Sequence, residues 1–145
     1  MKKKVMIING SNLDMLGKRD ANNYGVMTLD SINQMLYDNF KDYFDLDFFQ
    51  SNCEGEIINY LHKGFDYDAV VINPGGYTHT SVSIRDALEM LNCIKIEVHL
   101  SNINEREEFR KINYIKDMCD KSFVGFKHMS YYKALEYLQK CFNML

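Results

Sequence analysis

The chain has 145 residues, of which 46% are hydrophobic and 26% charged, close to soluble globular domains and unlike a disordered tail, a collagen or a coiled coil. That length predicts one domain spanning residues 1–145, large enough to bury about 68–70% of the surface its unfolded chain exposes. Seventeen Lys and Arg against twenty Asp and Glu leave a net charge of −3, so the overall balance calls for neither nucleic acid nor an anionic membrane as partner.

Lys2, Lys3 and Lys4 precede only Val5 to Ile8 before Asn9-Gly10, too short for the core of about 7–15 apolar residues in a signal peptide. No stretch approaches the roughly 20 apolar residues of a membrane span, and a cytoplasmic protein is expected. Val5 to Ile8 reads as the first strand. Thr28 is placed to cap a helix whose apolar stripe is Leu29, Ile32, Leu36 and Phe40. Leu46 to Phe49 is the second strand. Ser51 and Glu54 have capping-box spacing ahead of Ile57, Ile58 and Leu61, with Gly64 placed to end that helix. Ala69 to Ile72 is the third strand, followed by Pro74 and a stripe of Ile84, Ala87, Leu88 and Leu91. Ile94 to Val98 is the fourth strand, and a short helix is expected near Asn102, with Glu105, Glu107 and Glu108 in its first turns. A weaker apolar run, Ser122 to Phe126, precedes Ser130 and the last stripe of Ala134, Leu135, Leu138 and Phe142. The cysteines, Cys53, Cys93, Cys119 and Cys141, form no Cys-x-x-Cys pair and read as reduced thiols, with Cys93 and Cys141 buried in helical patterns.

Near-continuous apolar strands alternating with helices predict an α/β fold: a flavodoxin-like doubly wound sandwich around a five-stranded parallel sheet of order 2-1-3-4-5, helices on both faces. In such sheets ligands bind beyond the carboxyl ends of the strands, where the polar residues of this chain crowd. Strand one runs into Asn9 to Arg19 and on to Tyr24-Gly25; strand three runs into Asn73 to Ser81; strand four carries Glu97 and leads through His99 to Arg106 and Arg110. Each has an ordinary structural reading: a strand-end histidine as a hydrogen-bonder, an arginine pair four apart as a solvated helix face, a tyrosine as packing. Gathered in one crevice they suit an anionic small molecule instead. Neither a Gly-x-Gly-x-x-Gly turn nor a Gly-Lys-Ser/Thr loop follows strand one, Asn9 and Asn73 stand where a phosphoacceptor domain needs acids, and the histidines lack zinc spacing. Acid–base chemistry without metal or cofactor is the remaining expectation.

The segments Asn9-Gly10-x-Asn12-Leu13, Leu16-Gly17-Lys18-Arg19, Tyr24-Gly25, Phe49-Gln50-Ser51-Asn52 with Glu54-Gly55-Glu56, Asn73-Pro74-Gly75-x-Tyr77-Thr78-His79-Thr80-Ser81, and Glu97-Val98-His99-Leu100-Ser101-Asn102 with Arg106-Glu107-Glu108-Phe109-Arg110 together resemble type II 3-dehydroquinate dehydratase. The resemblance implies a hydro-lyase that converts 3-dehydroquinate to 3-dehydroshikimate in the shikimate pathway of aromatic amino acid biosynthesis. It implies Tyr24 as the base that forms an enolate, Arg19 keeping that tyrosine deprotonated with Arg106 adding charge, and Asn12 holding the enolate through water. It also implies His99, oriented by Glu97, as general acid. Asn73, His79 and Arg110 would bind hydroxyls, backbone N–H groups of Leu100 and Ser101 the carboxylate, and Asp86 would approach a neighbouring subunit's site. A homododecamer built as a tetramer of trimers follows from the same resemblance. The chain departs from the usual family pattern at Ser11, Asp14, Cys53 and Gly76 and has no proline in Asp20-Ala21-Asn22-Asn23. A catalytically silent binding protein for a shikimate-type ligand is the alternative from another class.

Overall fold

A computed structural model describes residues 1–145. Strands β1 (Lys3–Asn9), β2 (Phe44–Gln50), β3 (Ala69–Asn73), β4 (Ile94–His99) and β5 (Lys121–Val124) form one parallel sheet in the order β2-β1-β3-β4-β5. Register aligns Asn9 with both Gln50 and Asn73, and His99 with Val124, so the polar strand ends share one edge of the sheet. The crossovers carry α1 (Ala21–Tyr24), α2 (Leu29–Phe40), α3 (Glu54–Leu61), α4 (Val82–Glu89) and, after β5, α5 (Met129–Cys141).

Alternation of side chains along a strand splits the core into two layers. Val5, Ile7 and Val71 face α2 and α5, meeting Ile32, Leu36, Phe40, Tyr131, Leu135 and Leu138. Met6, Ile8, Val70 and Ile72 face α3 and α4, meeting Ile57, Leu61, Ile84 and Leu88. Burial on both sides is why β1 and β3 read as unbroken apolar runs. No helix is long and apolar enough to cross a membrane.

Thr28 caps α2 as its position predicts, accepting from the Ser31 N–H at 3.1 Å. Four local expectations are corrected. Cys53, not Ser51, is the residue before α3; the Ser51 hydroxyl accepts from the Cys53 N–H and donates to Glu56, which leaves no capping box with Glu54. Gly64 does not terminate α3, which ends at Leu61; it lies in a following 3₁₀ turn where an added Cβ would sit 2.7 Å from Leu91 Cδ1, so close packing selects glycine there. The segment after Asn102 is no α-helix but two 3₁₀ turns, Ile103–Glu105 and Glu108–Lys111, with Arg106 extended between them. So short a stretch gains few helical hydrogen bonds, while the opened backbone lets Arg106 reach inward. Finally, Cys141 is exposed and Cys93 half-buried: the buried stripe of α5 passes through Leu138 towards Phe142 and leaves the helix-terminal Cys141 outside it. All four cysteines are free thiols.

Ser130 lies in the first turn of α5, ahead of the apolar stripe. Its hydroxyl donates to the His99 carbonyl at 3.0 Å and accepts from the Phe126 N–H at 3.1 Å, tying the end of β4 to the helix.

Candidate active site

Two loops at the carboxyl edge pack backbone against backbone. A Cβ on Gly10 would lie 2.1 Å from the Pro74 carbonyl oxygen, and Gly75, at φ 65°, would place one 2.5 Å from the Ser11 carbonyl oxygen. Only glycine permits both contacts. Asn12 follows at φ 67°, a left-handed conformation that asparagine tolerates better than most residues, and its N–H donates to Asn52 Oδ1 at 2.8 Å. These contacts set the floor of a cavity of about 110 Å³, lined among others by Asn12, Arg19, Tyr24, Asn73, His79, His99, Leu100, Ser101, Arg106 and Arg110. Three segments distant in sequence therefore converge as the fold rule predicts. The space is small beside the ~300–1,000 Å³ of most ligand pockets.

Tyr24 ends the single turn α1. Its hydroxyl oxygen accepts from Arg19 Nη2 at 2.8 Å and from Arg106 Nη1 at 2.6 Å, and the Arg19 guanidinium stacks 3.8 Å from the ring centroid. Arg106 also donates to Ser101 Oγ at 3.2 Å. The two arginines thus meet on one oxygen although Arg106 and Arg110 do not share the helix face expected from their spacing. Arg110 lines the cavity with its Nε held by Glu107 at 3.2 Å.

His99 ends β4 and is 4% exposed. Its Nε2 pairs with Glu97 Oε2 at 2.7 Å; Nδ1 has no partner in the chain and is not sealed off, so it opens to the cavity that the ring lines. Glu97 stands behind the histidine, fully buried, outside the cavity wall. Burial by itself would raise its carboxyl pKa, but hydrogen bonds from His99, Ser122 and Asn113 and the nearby imidazole outweigh that and hold it below the usual carboxylate range.

His79 turns Nδ1 to the Ile112 carbonyl at 2.7 Å; a carbonyl only accepts, so Nδ1 carries the hydrogen. Burial lowers its pKa, the Arg110, His99 and Arg106 charges add to this, and the Ile112 carbonyl opposes it. Asn73 is committed on both sides of its amide: Oδ1 accepts from the Gly75 N–H at 3.1 Å, and Nδ2 donates to the Tyr131 hydroxyl at 3.1 Å, which in turn donates to Asn9 Oδ1. Burial pushes the Tyr131 phenol upward, keeping it a neutral link. The N–H groups of Leu100 and Ser101 have no acceptor within the chain. Asp86 lies apart, exposed on α4, and does not line this cavity.

Sequence reasoning missed the supporting partners Tyr131, Asn113 and Ser122. Tyr131 reads as one more core aromatic, and no motif marks Asn113 or Ser122, which reach Glu97 from 16 and 25 residues away.

A tyrosine oxygen gripped by two guanidiniums suits a base in its phenolate form, and an imidazole backed by a buried carboxylate can hand a proton over; a fold that sets both at a sheet's carboxyl edge defines an acid–base enzyme of the doubly wound α/β class. The family model described as Dehydroquinase class II matches residues 3–139. The 3-dehydroquinate dehydratase of Thermotoga neapolitana is 49% identical over 138 residues, covering 94% of each chain. The crystal structure of the type II dehydroquinase from Butyrivibrio crossotus superposes with a TM-score of 0.92 at 40% identity, covering 95% of this chain and 98% of that one. The enzyme from Propionibacterium acnes gives 0.92 at 33% identity, covering 97% and 98%. The chain belongs to the class II dehydroquinase family.

Proposed function

We propose that this chain removes water from 3-dehydroquinate to give 3-dehydroshikimate, as a lyase of the shikimate pathway leading to chorismate and aromatic amino acids. The observation that carries the reading is the Tyr24 oxygen held by two guanidiniums in the same cavity as the Glu97-backed His99. Tyr24, as phenolate, takes the proton from the carbon beside the ketone, and the electron pair moves into an enolate. Asn12, through a water, donates to the enolate oxygen. As the enolate collapses, the carbon–oxygen bond breaks in an anti elimination and His99 delivers a proton from Nδ1, so the hydroxyl leaves as water. Glu97 holds Nε2 throughout and steadies the imidazolium form that the acid needs.

The unpaired N–H groups of Leu100 and Ser101 are donors for the substrate carboxylate. His79, Arg110 and the remaining N–H of Asn73 are donors for its hydroxyls. The chain acts as one catalytic domain, in the cytoplasm, within a dodecamer of four trimers. Asp86, exposed and outside its own chain's cavity, then serves the site of an adjoining subunit.

Mixing the protein with 3-dehydroquinate and following the ultraviolet absorbance of the conjugated enone tests this directly. Growth of the band is expected; binding without it would overturn the reading in favour of a silent binding protein. Light scattering during turnover tests the assembly: a fully active monomer would remove Asp86 from the site.

A further inference from the structure

The segment that follows Arg110 belongs to none of the motifs in which the site was expected, yet it touches His79 directly and reaches His99 through Glu97. The carbonyl of Ile112 accepts from His79 Nδ1 at 2.7 Å, and the next residue, Asn113, donates from Nδ2 to Glu97 Oε2 at 2.5 Å. That oxygen is the one His99 Nε2 pairs with at 2.7 Å; Ser122 Oγ takes the other, Oε1, at 2.6 Å. The direction of the Asn113 amide is fixed from behind. Its Oδ1 accepts from the N–H groups of Ile115 and Lys116 at 3.0 and 3.1 Å, so the carbonyl end must face the turn and the NH₂ end must face Glu97. The turn itself is clamped: Arg85 on α4 donates to the Tyr114 carbonyl at 2.8 Å and pairs with both oxygens of Asp117, while the Tyr114 N–H reaches the Thr78 carbonyl at 3.0 Å.

We infer that Asn113 is a positioning residue of the reaction, fixing the Glu97 carboxylate as a pure acceptor so that His99 keeps Nε2 on Glu97 and presents Nδ1 to the substrate. The inference rests on the roles proposed above for His99 and Glu97. An ionised carboxylate accepts only, and three donors converge on this one with no competing acceptor beside it. Two other titratable groups stand near. The Cys119 thiol, ahead of β5, is pushed up to about 12, by burial first and by the Glu97 charge second, and stays neutral. Lys95, on the same strand, is turned away, its Nζ bonded to the Leu88 and Leu91 carbonyls at 2.9 and 2.6 Å. The imidazole does most to hold Glu97 charged, and the neutral donors Ser122 and Asn113 add to that and fix the aim of its two oxygens.

Asn113→Asp separates this role from a role in the turn. It keeps the size of the side chain and the acceptor for Ile115 and Lys116, but sets a carboxylate oxygen against Glu97, and two carboxylates that close tend to share a proton. The expected result at neutral pH is a kcat lower by about 10- to 100-fold, the usual cost of losing a partner that orients a working histidine. KM stays unchanged, the urea midpoint falls because buried Glu97 loses a donor and gains a carboxylate neighbour, and the acid limb of the pH–kcat profile moves to higher pH. Exchange of the substrate's proton with solvent, the Tyr24 step, continues at the wild-type rate. A merely structural role would lower exchange and turnover together, and that outcome overturns the inference. If the Asp variant does not fold, Asn113→Ala is judged by the same split. Wild-type kcat and pH profile in the Asn113 variant, beside a crippled His99→Ala, overturn the positioning role alone. Wild-type turnover in His99→Ala overturns it together with the assignment of the acid.

Discussion

Tyr24 and His99 reach one cavity by contrasting routes. Tyr24 hangs on a four-residue helical turn with no buried residue, held by its own cap and by arginines from two segments. His99 is the last residue of an interior strand, with Glu97 behind it and Ser130 bonded to its carbonyl. The difference fits what the proposed roles of base and acid would require. A base that must meet a substrate entering from solvent can sit on a segment that opens, provided charge awaits it there. An acid whose tautomer decides the outcome is better fixed by the sheet and by buried partners.

The largest expected effects separate the two sides. Tyr24→Phe removes one hydroxyl from a half-buried loop side chain, so turnover should fall by about 10²–10⁴-fold, while unfolding free energy moves by no more than about 0.5 kcal/mol. Solvent exchange of the substrate's proton should vanish with it. His99→Ala should lower turnover comparably yet leave that exchange running, and it should also cost about 1–3 kcal/mol because a buried carboxylate loses a donor. Parallel urea melts and exchange by NMR measure both. If Tyr24→Phe proved the more destabilising change, the contrast between an open side and an embedded side would fail.

Acid should weaken the histidine side of the site in two steps. Glu97 has a folded pKa below its unfolded value of about 4.3, so its contribution to stability is present above that value and is lost as pH falls through the folded one. His79, also depressed, works in the same sense from about pH 6.5 downward, since the unfolded chain binds its proton more readily. Urea midpoints should therefore decline from pH 7 to pH 3 in two stages. Glu97→Gln should flatten the lower stage and His79→Gln the upper. An unchanged slope below about pH 4.3 in Glu97→Gln would mean that the carboxylate is not held as described.

What the sequence made legible follows from where its signal is local. Val5 to Ile8 and Ala69 to Ile72 are buried on both faces, so they announce themselves as apolar runs, and the chemistry lies at their carboxyl ends because the topology puts crevices there. Thr28 caps a helix through contacts three residues away and was equally readable. Ser51 misled because its hydroxyl has a second local choice, Glu56, two positions beyond the reach of the simple pattern. The Glu-rich segment after Asn102 carries helical composition, but the reach of Arg106 to Tyr24, 82 residues back, prevails over that local preference. Asn113, Ser122 and Tyr131 were illegible because a supporting hydrogen bond leaves no periodicity and no spacing. Only the folded chain brings their partners near.

The smallest effect tests the open side by its cap. Asp20 Oδ1 accepts from the Asn22 N–H at 3.0 Å and Oδ2 from Asn23 Nδ2 at 2.9 Å, while the Asp20 carbonyl takes the Tyr24 N–H at 2.9 Å. A four-residue turn cannot meet the cost of helix nucleation by itself, so a cap worth about 0.5–2 kcal/mol is a large share of what holds it. Asp20→Ala should let the turn open more often and carry Tyr24 off its arginines. One kcal/mol corresponds to roughly a 5-fold change in population, and turnover should fall by about that factor once opening becomes the dominant state. Amide hydrogen exchange at residues 22–25 should quicken while the global urea midpoint stays where it was, since no residue of α1 is buried. Asp20→Asn, an equally good cap, should restore both turnover and protection. A fall in the global midpoint with turnover intact would show that this loop belongs to the cooperative core, and that Tyr24 and His99 are held by the same structure after all.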